Sequence, residues 1–332
     1  MERRQFLQTT LAIGAAMLPG GKLTASGLLS SVPAVEPLMP IWEAALGGHW
    51  DIVKQWLKRD PSLIDITGET EGKKQFSLLH LAVAARVFAK RNPDIRLVEY
   101  LVFLGANVHA RDELGYTPLH WAASQCSVEI YQCLISAGAD VNVRDQDDST
   151  PLHEAAESND DVNVLKYLIA QGADVHARTR FGNTPLLRAA TFLSNVEILQ
   201  YLISVGADVH VKDNGGNTPL HFSAAYNDNV EILQYLISVG ADVNIKDNDG
   251  QTPLHRATFA WWNDEKLQHL VSVGVDVNAK DNNGMTPLHC VAKEFDWDAS
   301  AVQYLISHGA DAHAVDNEGK TPVDYVHRYG GE

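Results

Sequence analysis

One short motif recurs along this chain at an almost constant interval, and nothing else in the sequence constrains the fold as tightly. Thr-Pro-Leu-His begins at Thr117, Thr150, Thr218, Thr252 and Thr286, with Thr-Pro-Leu-Leu at Thr184 and Thr-Pro-Val-Asp at Thr321. The successive steps are 33, 34, 34, 34, 34 and 35 residues. Self-similarity at a fixed period of this length means stacked supersecondary units, each too small to bury its own apolar face.

Each part of the period has a physical job. Thr is a good N-cap, and Pro at the first helical position loses only an N–H that has no helical partner anyway. The small pairs that follow, Ala122-Ala123, Ala155-Ala156 and Ala189-Ala190, let a short first helix pack closely on its neighbours. A second helix reads most clearly at Val196–Ile203, where apolar residues recur at helical spacing. Gly206 then ends that helix as a left-handed cap. The Asp-Asn-Gly-Gly turn at 213–216 forms a projecting hairpin. Helices this short are unstable alone, so stability comes from stacking. Residues 195–208 recur at 229–242, which marks what they share as scaffold.

The two ends depart from the pattern. Pro40-Ile41-Trp42-Glu43-Ala44-Ala45 followed by Asp51-Ile52-Val53-Lys54 is a degenerate first unit with charged residues on its outer helix. A second unit starts at Ser77-Leu78-Leu79-His80, 40 residues before Thr117, with extra residues around Phe88 to Asp94 between its helices. The last unit reads as one polar helix ending after Arg328, followed by Gly330-Gly331.

Motif and period together resemble the ankyrin repeat. The resemblance implies an all-α repeat solenoid of helix-turn-helix units with projecting β-hairpins. It covers residues 35–332, with units near 40–72, 73–112, 113–145, 146–179, 180–213, 214–247, 248–281, 282–316 and 317–332, nine including both caps. It also implies binding of proteins through hairpin tips and the first helices that line the concave side.

Residues 1–34 read as an address rather than a fold. A charged start, a short apolar stretch from Leu11 to Leu18 and the breaker Pro19-Gly20-Gly21 give the layout of an export signal. Arg3-Arg4-Gln5-Phe6-Leu7 resembles the bacterial twin-arginine signal, with Arg3, Arg4, Phe6 and Leu7 as its matching residues; Glu2 and Gln8 depart from the family pattern. Cleavage is expected after Ala34 or Ala25. The twin-arginine route moves folded proteins, and a chain of local contacts folds fast.

The net charge of −16 argues against a nucleic-acid partner, which needs clustered Lys and Arg. Three cysteines, Cys126, Cys133 and Cys290, cannot build a disulfide framework. No run of about 20 apolar residues is present, so a membrane contact is expected only through an uncleaved N-terminus. Fourteen histidines invite a metal reading. However, His120, His153, His221, His255 and His289 share one repeat position, and His109, His176, His210 and His313 another. Stacked helices lie about 8–10 Å apart, whereas zinc ligands all lie about 2.1 Å from one ion. These histidines are therefore expected to bond the adjacent hairpin backbone. The sequence holds no catalytic or nucleotide-binding motif, and the expectation is a non-enzymatic monomer with no cofactor, metal or small-molecule substrate.

Function then falls to positions the scaffold leaves free. Residues four, seven and eight after the motif Thr share one helical stripe, and aromatic and Arg residues favour binding hot spots. The candidates on this stripe are Trp121, Gln125, Glu154, Arg188, Phe222, Tyr226, Arg256 and Phe259. Those at the hairpin tips are Tyr116, Arg180 and Phe181. Trp261, Trp262, Phe295 and Trp297 extend the set into loops. The leading expectation is an exported, periplasmic or cell-surface bacterial module that scaffolds, stabilises or inhibits a protein; the chain is cytoplasmic if the signal does not act. The alternatives are a membrane-anchored display array with an uncleaved N-terminus, or a secreted host-directed effector.

Overall fold

The computed structural model describes residues 40–68, 75–85, 92–123, 126–258, 264–294 and 299–326. The expected export signal, with Arg3, Arg4, Phe6 and Leu7, lies outside them. The described residues fall into two compact bodies, one ending at Gln146 and one starting at Asp147.

In the first body the helices are α1 (Ile41–Leu46), α2 (Trp50–Arg59), α3 (Leu78–Val83), α4 (Ile95–Phe103), α5 (Pro118–Trp121) and α6 (Val128–Ser136). A two-stranded antiparallel pair, β1 (Thr67–Gly68) and β2 (Phe76–Ser77), sets Thr67 opposite Ser77. First helices α1, α3 and α5 pack in succession, and second helices α4 and α6 pack on each other.

The second body repeats the scheme more regularly. Its first helices are α7 (Pro151–Ser158), α9 (Pro185–Phe192), α11 (Pro219–Tyr226), α13 (Pro253–Ala257) and α15 (Pro287–Glu294). Its second helices are α8 (Val162–Ala170), α10 (Val196–Ser204), α12 (Val230–Ser238), α14 (Asp264–Ser272) and α16 (Ala299–Ser307). Each first helix packs against the next one. The motif leucines Leu152, Leu186, Leu220, Leu254 and Leu288 are 0% exposed, and each such burial contributes about 2 kcal/mol. Helices α8, α12 and α16 end as α10 does. Gly206 has φ +105°, its N–H reaches Ile203 O at 3.1 Å, and Ala207 N reaches Leu202 O at 2.9 Å. That pair of bonds is the Schellman closure, which a positive φ requires.

The motif histidine joins one unit to the next. His221 Nδ1 lies 3.1 Å from Thr218 N and 2.9 Å from Thr218 Oγ1, and its Nε2 lies 3.1 Å from Gln251 O, one unit further on. A backbone N–H only donates, so Nδ1 carries no proton and Nε2–H donates to the carbonyl. His80, His153, His255 and His289 bridge to Tyr116, Asn183, Met285 and Lys320 in the same way. The hairpin-backbone role expected of His153, His221, His255 and His289 is the one they have. At Leu187 the motif lacks the imidazole, and Thr184 Oγ1 accepts from Leu187 N alone.

Two further ladders run along the hairpins of the second body. Asn214, Asn248, Asn282 and Asn317 each donate Nδ2–H to a carbonyl of the preceding tip, at 2.9–3.0 Å. On the outer edge Lys212, Lys246 and Lys280 each donate to a carbonyl of the following unit, at 3.1, 2.7 and 2.8 Å.

The final unit differs from its sequence reading. Pro322–Tyr325 is a single 3-10 turn, not a helix. Asp324 stands where other units have His and accepts from Thr321 N and Oγ1 at 2.8 and 2.7 Å. It keeps the cap, but a carboxylate has no N–H to bridge onward.

Candidate partner-binding surface

Tyr116 and Trp121 belong to the first body. Asp112, buried at the base of the hairpin, accepts Leu114 N and Tyr116 N through Oδ1, both at 2.9 Å. Its Oδ2 accepts the indole N–H of Trp121, nine residues on, at 3.0 Å. The Trp121 ring meets Phe76 edge-on at 5.5 Å and lies 5.9 Å from Tyr116. Trp121 therefore ties hairpin to helix and packs between units, leaving part of the ring at the surface. Gln125 lies outside the described residues.

In the second body Arg256 repeats the arrangement. Asp247 Oδ1 holds Asp249 N and Gln251 N at 2.9 and 2.8 Å, and Oδ2 takes Arg256 Nε and Nη2 at 2.9 and 2.6 Å. Tyr325 bonds Asp316 across the same nine-residue interval. The interval is visible in the sequence, but its meaning depends on the hairpin folding back over the helix start.

Arg188 stands nine residues after Thr179, which offers no carboxylate. Its guanidinium reaches instead to Glu157 of the preceding unit, at 2.6 Å. Burial pushes the Glu157 carboxyl upward in pKa, more than the adjacent guanidinium pulls it down. Its Oε1 is buried without a hydrogen-bond donor. Glu154, half-buried, accepts from Ser149 Oγ at 2.8 Å.

The remaining candidates are less committed. Arg180 pairs with Asp147 at 2.9 Å and sits 4.6 Å over the ring of Phe181. Phe181 is 48% exposed. Phe222 is half-buried, with its ring 6.2 Å from that of Tyr226, which is 36% exposed. The tip position of Phe181 carries Gly215, Asp249 and Asn283 in following units, and the position of Tyr226 carries Ser158, Phe192, Ala260 and Glu294 elsewhere. Packing does not require an aromatic ring at either place. Phe259, Trp261, Trp262, Phe295 and Trp297 lie outside the described residues. So the candidates read from sequence are of two kinds: Trp121, Arg188 and Arg256 hold the scaffold, whereas Phe181 at its tip and Tyr226 on the stripe face outward.

The motif, its histidine bridge, the paired short helices and the projecting hairpins agree with a family model described as ankyrin repeats, which matches residues 79–179, 132–213, 186–281 and 259–331. The chain belongs to the ankyrin-repeat family. It is also similar to the RelA-associated inhibitor of Mus musculus, 36% identical over 92 residues. That match takes in 27% of this chain and 10% of the mouse protein.

Proposed function

We propose that this ankyrin-repeat protein is a non-enzymatic binding module that holds a protein partner against the first helices and hairpin tips of its second body. The observation that carries the reading is the exposure of Phe181 and Tyr226 at positions where the units with Gly215, Asp249, Ser158 and Glu294 carry no aromatic ring. Large rigid rings of this kind supply contact area at low entropic cost. Arg180, stacked on Phe181, supplies a planar donor beside them. Binding serves to scaffold, stabilise or inhibit the partner, and the description of the mouse relative as an inhibitor favours the last.

The proposal extends to address: Arg3, Arg4, Phe6 and Leu7 direct a bacterial cell to export the folded chain to the periplasm or surface. Arg3→Lys with Arg4→Lys should then retain the protein in the cytoplasm; unchanged export would refute this part.

The binding claim is tested by affinity capture with the wild type and a Phe181→Ala, Tyr226→Ala variant. Neither substitution opens the core, so both proteins should show the same circular dichroism. A partner held by the wild type is expected to bind the variant at least about tenfold more weakly, since each ring is worth about 1–2 kcal/mol. Equal affinity would move the site elsewhere.

A further inference from the structure

The second helices α4, α6, α8, α10, α12, α14 and α16 are each nine residues long and share one register. At the sixth position six of them carry a ring: Tyr100, Tyr167, Tyr201, Tyr235, His269 and Tyr304. In α6 that position is Cys133. Twice, a lysine at the fifth position of one helix lies over the ring of the next: Lys54 over Tyr100 at 5.6 Å, and Lys166 over Tyr201 at 5.7 Å. Between α4 and α6 both members of this pair are changed. The fifth position of α4 is Glu99, and the ring that would follow it is Cys133.

A groove of about 630 Å³ lies at that place, with Glu99, Val102, Phe103, Glu129, Cys133 and Ser136 in its walls. All of it belongs to the first body. Among the described residues that line it, none is cationic. Burial, and then the charge of Glu99, push the Cys133 thiol up in pKa, which sets that carboxylate beside the sulfur. Phe103, at the ninth position of α4, is 86% exposed, and the other six helices have Ser or Ala there. The scaffold therefore does without a phenylalanine at that position.

We propose that this groove binds a protein partner through an aromatic side chain flanked by lysine or arginine. The ring takes the place that tyrosine holds in the other units and lies against Val102 and Phe103, since aromatic pairs favour edge and offset contacts. The cation meets Glu99 and Glu129, whose charge is opposite to that of Lys54 and Lys166 beside their rings. The site is built on second helices of the first body and does not depend on Phe181 or Tyr226.

The test uses the full chain and the peptide acetyl-Lys-Ala-Tyr-Ala-Lys-amide, read by the rate at which iodoacetamide alkylates Cys133. Cys126 and Cys290 are 3% and 1% exposed, so the thiol that reacts in the folded chain is Cys133. The peptide is expected to slow the reaction saturably. Its affinity should fall at least about tenfold with Glu99→Lys or Phe103→Ser, which install the residues that α8 and α6 carry at these positions. Cys133→Tyr supplies the ring from within, so a fluorescent form of the peptide should no longer bind while the thermal midpoint is kept. No slowing, equal slowing by the peptide with alanine for tyrosine, or full binding to Cys133→Tyr overturns the proposal. So does slowing with protein concentration alone, which assigns the groove to a second copy. Faster alkylation of the free chain with Phe6→Ala or Phe88→Ala overturns it too, and assigns the groove to the chain's own residues.

Discussion

Replacing His221 by Asn and by Ala separates the two jobs of the motif histidine. Alanine strands the buried Thr218 N–H that Nδ1 accepts at 3.1 Å, removes the donor 3.1 Å from Gln251 O, and leaves a cavity where a fully buried imidazole stood. A stranded buried donor costs about 1–3 kcal/mol and a lost partly exposed bond about 1; with the cavity, the total is about 3–5 kcal/mol. Asparagine keeps an oxygen for Thr218, as Asp324 does for Thr321 at 2.8 Å, and loses only the bridge. Its expected cost is about 1–2 kcal/mol. Urea unfolding followed by circular dichroism measures both. Because stability in an array is the sum of unit and interface contributions, His221→Asn should also broaden the transition by weakening one interface. Equal losses for the two variants, or both within about 0.5 kcal/mol of wild type, would refute the division of labour.

The other expected outcomes follow from the same geometry. Burial lowers the His80 pKa from 6.5 to about 4, so the unfolded chain binds its proton first. The stability this contributes is complete above pH 6.5 and lost as pH falls to 4, a change of about 3 kcal/mol. His221 and His255, also lowered chiefly by burial, act with the same sign. Urea midpoints should drop across that window, and less so for His80→Asn. Gly216 has φ +79°, and a Cβ there would sit 2.8 Å from Asn248 N. Gly216→Ala is therefore expected to cost more than the ~1 kcal/mol of the left-handed conformation alone. Conversely Asp148 holds φ 60° at the position other hairpins give to glycine, and Asp148→Gly should stabilise by about 0.5–1 kcal/mol; thermal unfolding decides both. Arg256→Ala removes the partner of a carboxylate with no side-chain exposure, and should destabilise by about 3 kcal/mol. A wild-type midpoint for that variant would remove Arg256 from the scaffold.

The period, the caps and the glycine closures were legible because each is a local rule written into every copy. His221 was legible for another reason: repetition excluded a shared metal and left the backbone as its partner. The surface was less so. Trp121 and Arg256 read as free hot-spot residues because a helical stripe says nothing of a carboxylate nine residues earlier, folded back by the hairpin. The asparagines of the ladder read as turn residues, since only stacking brings each amide to the previous tip. The last unit read as a polar helix, yet Thr-Pro-Val-Asp makes one 3-10 turn.

Site-specific photo-crosslinking tests the binding function most directly. A benzophenone amino acid placed at Phe181, at Tyr226 or at Gln200 on the exposed side of α10 reports which face a partner touches in cells. The expected result is one protein adduct of the same mass from positions 181 and 226 and none from 200. Adducts from position 200 alone, or none from any position in cells that carry the protein at its native level, would contradict a binding module that works through its first helices and hairpin tips.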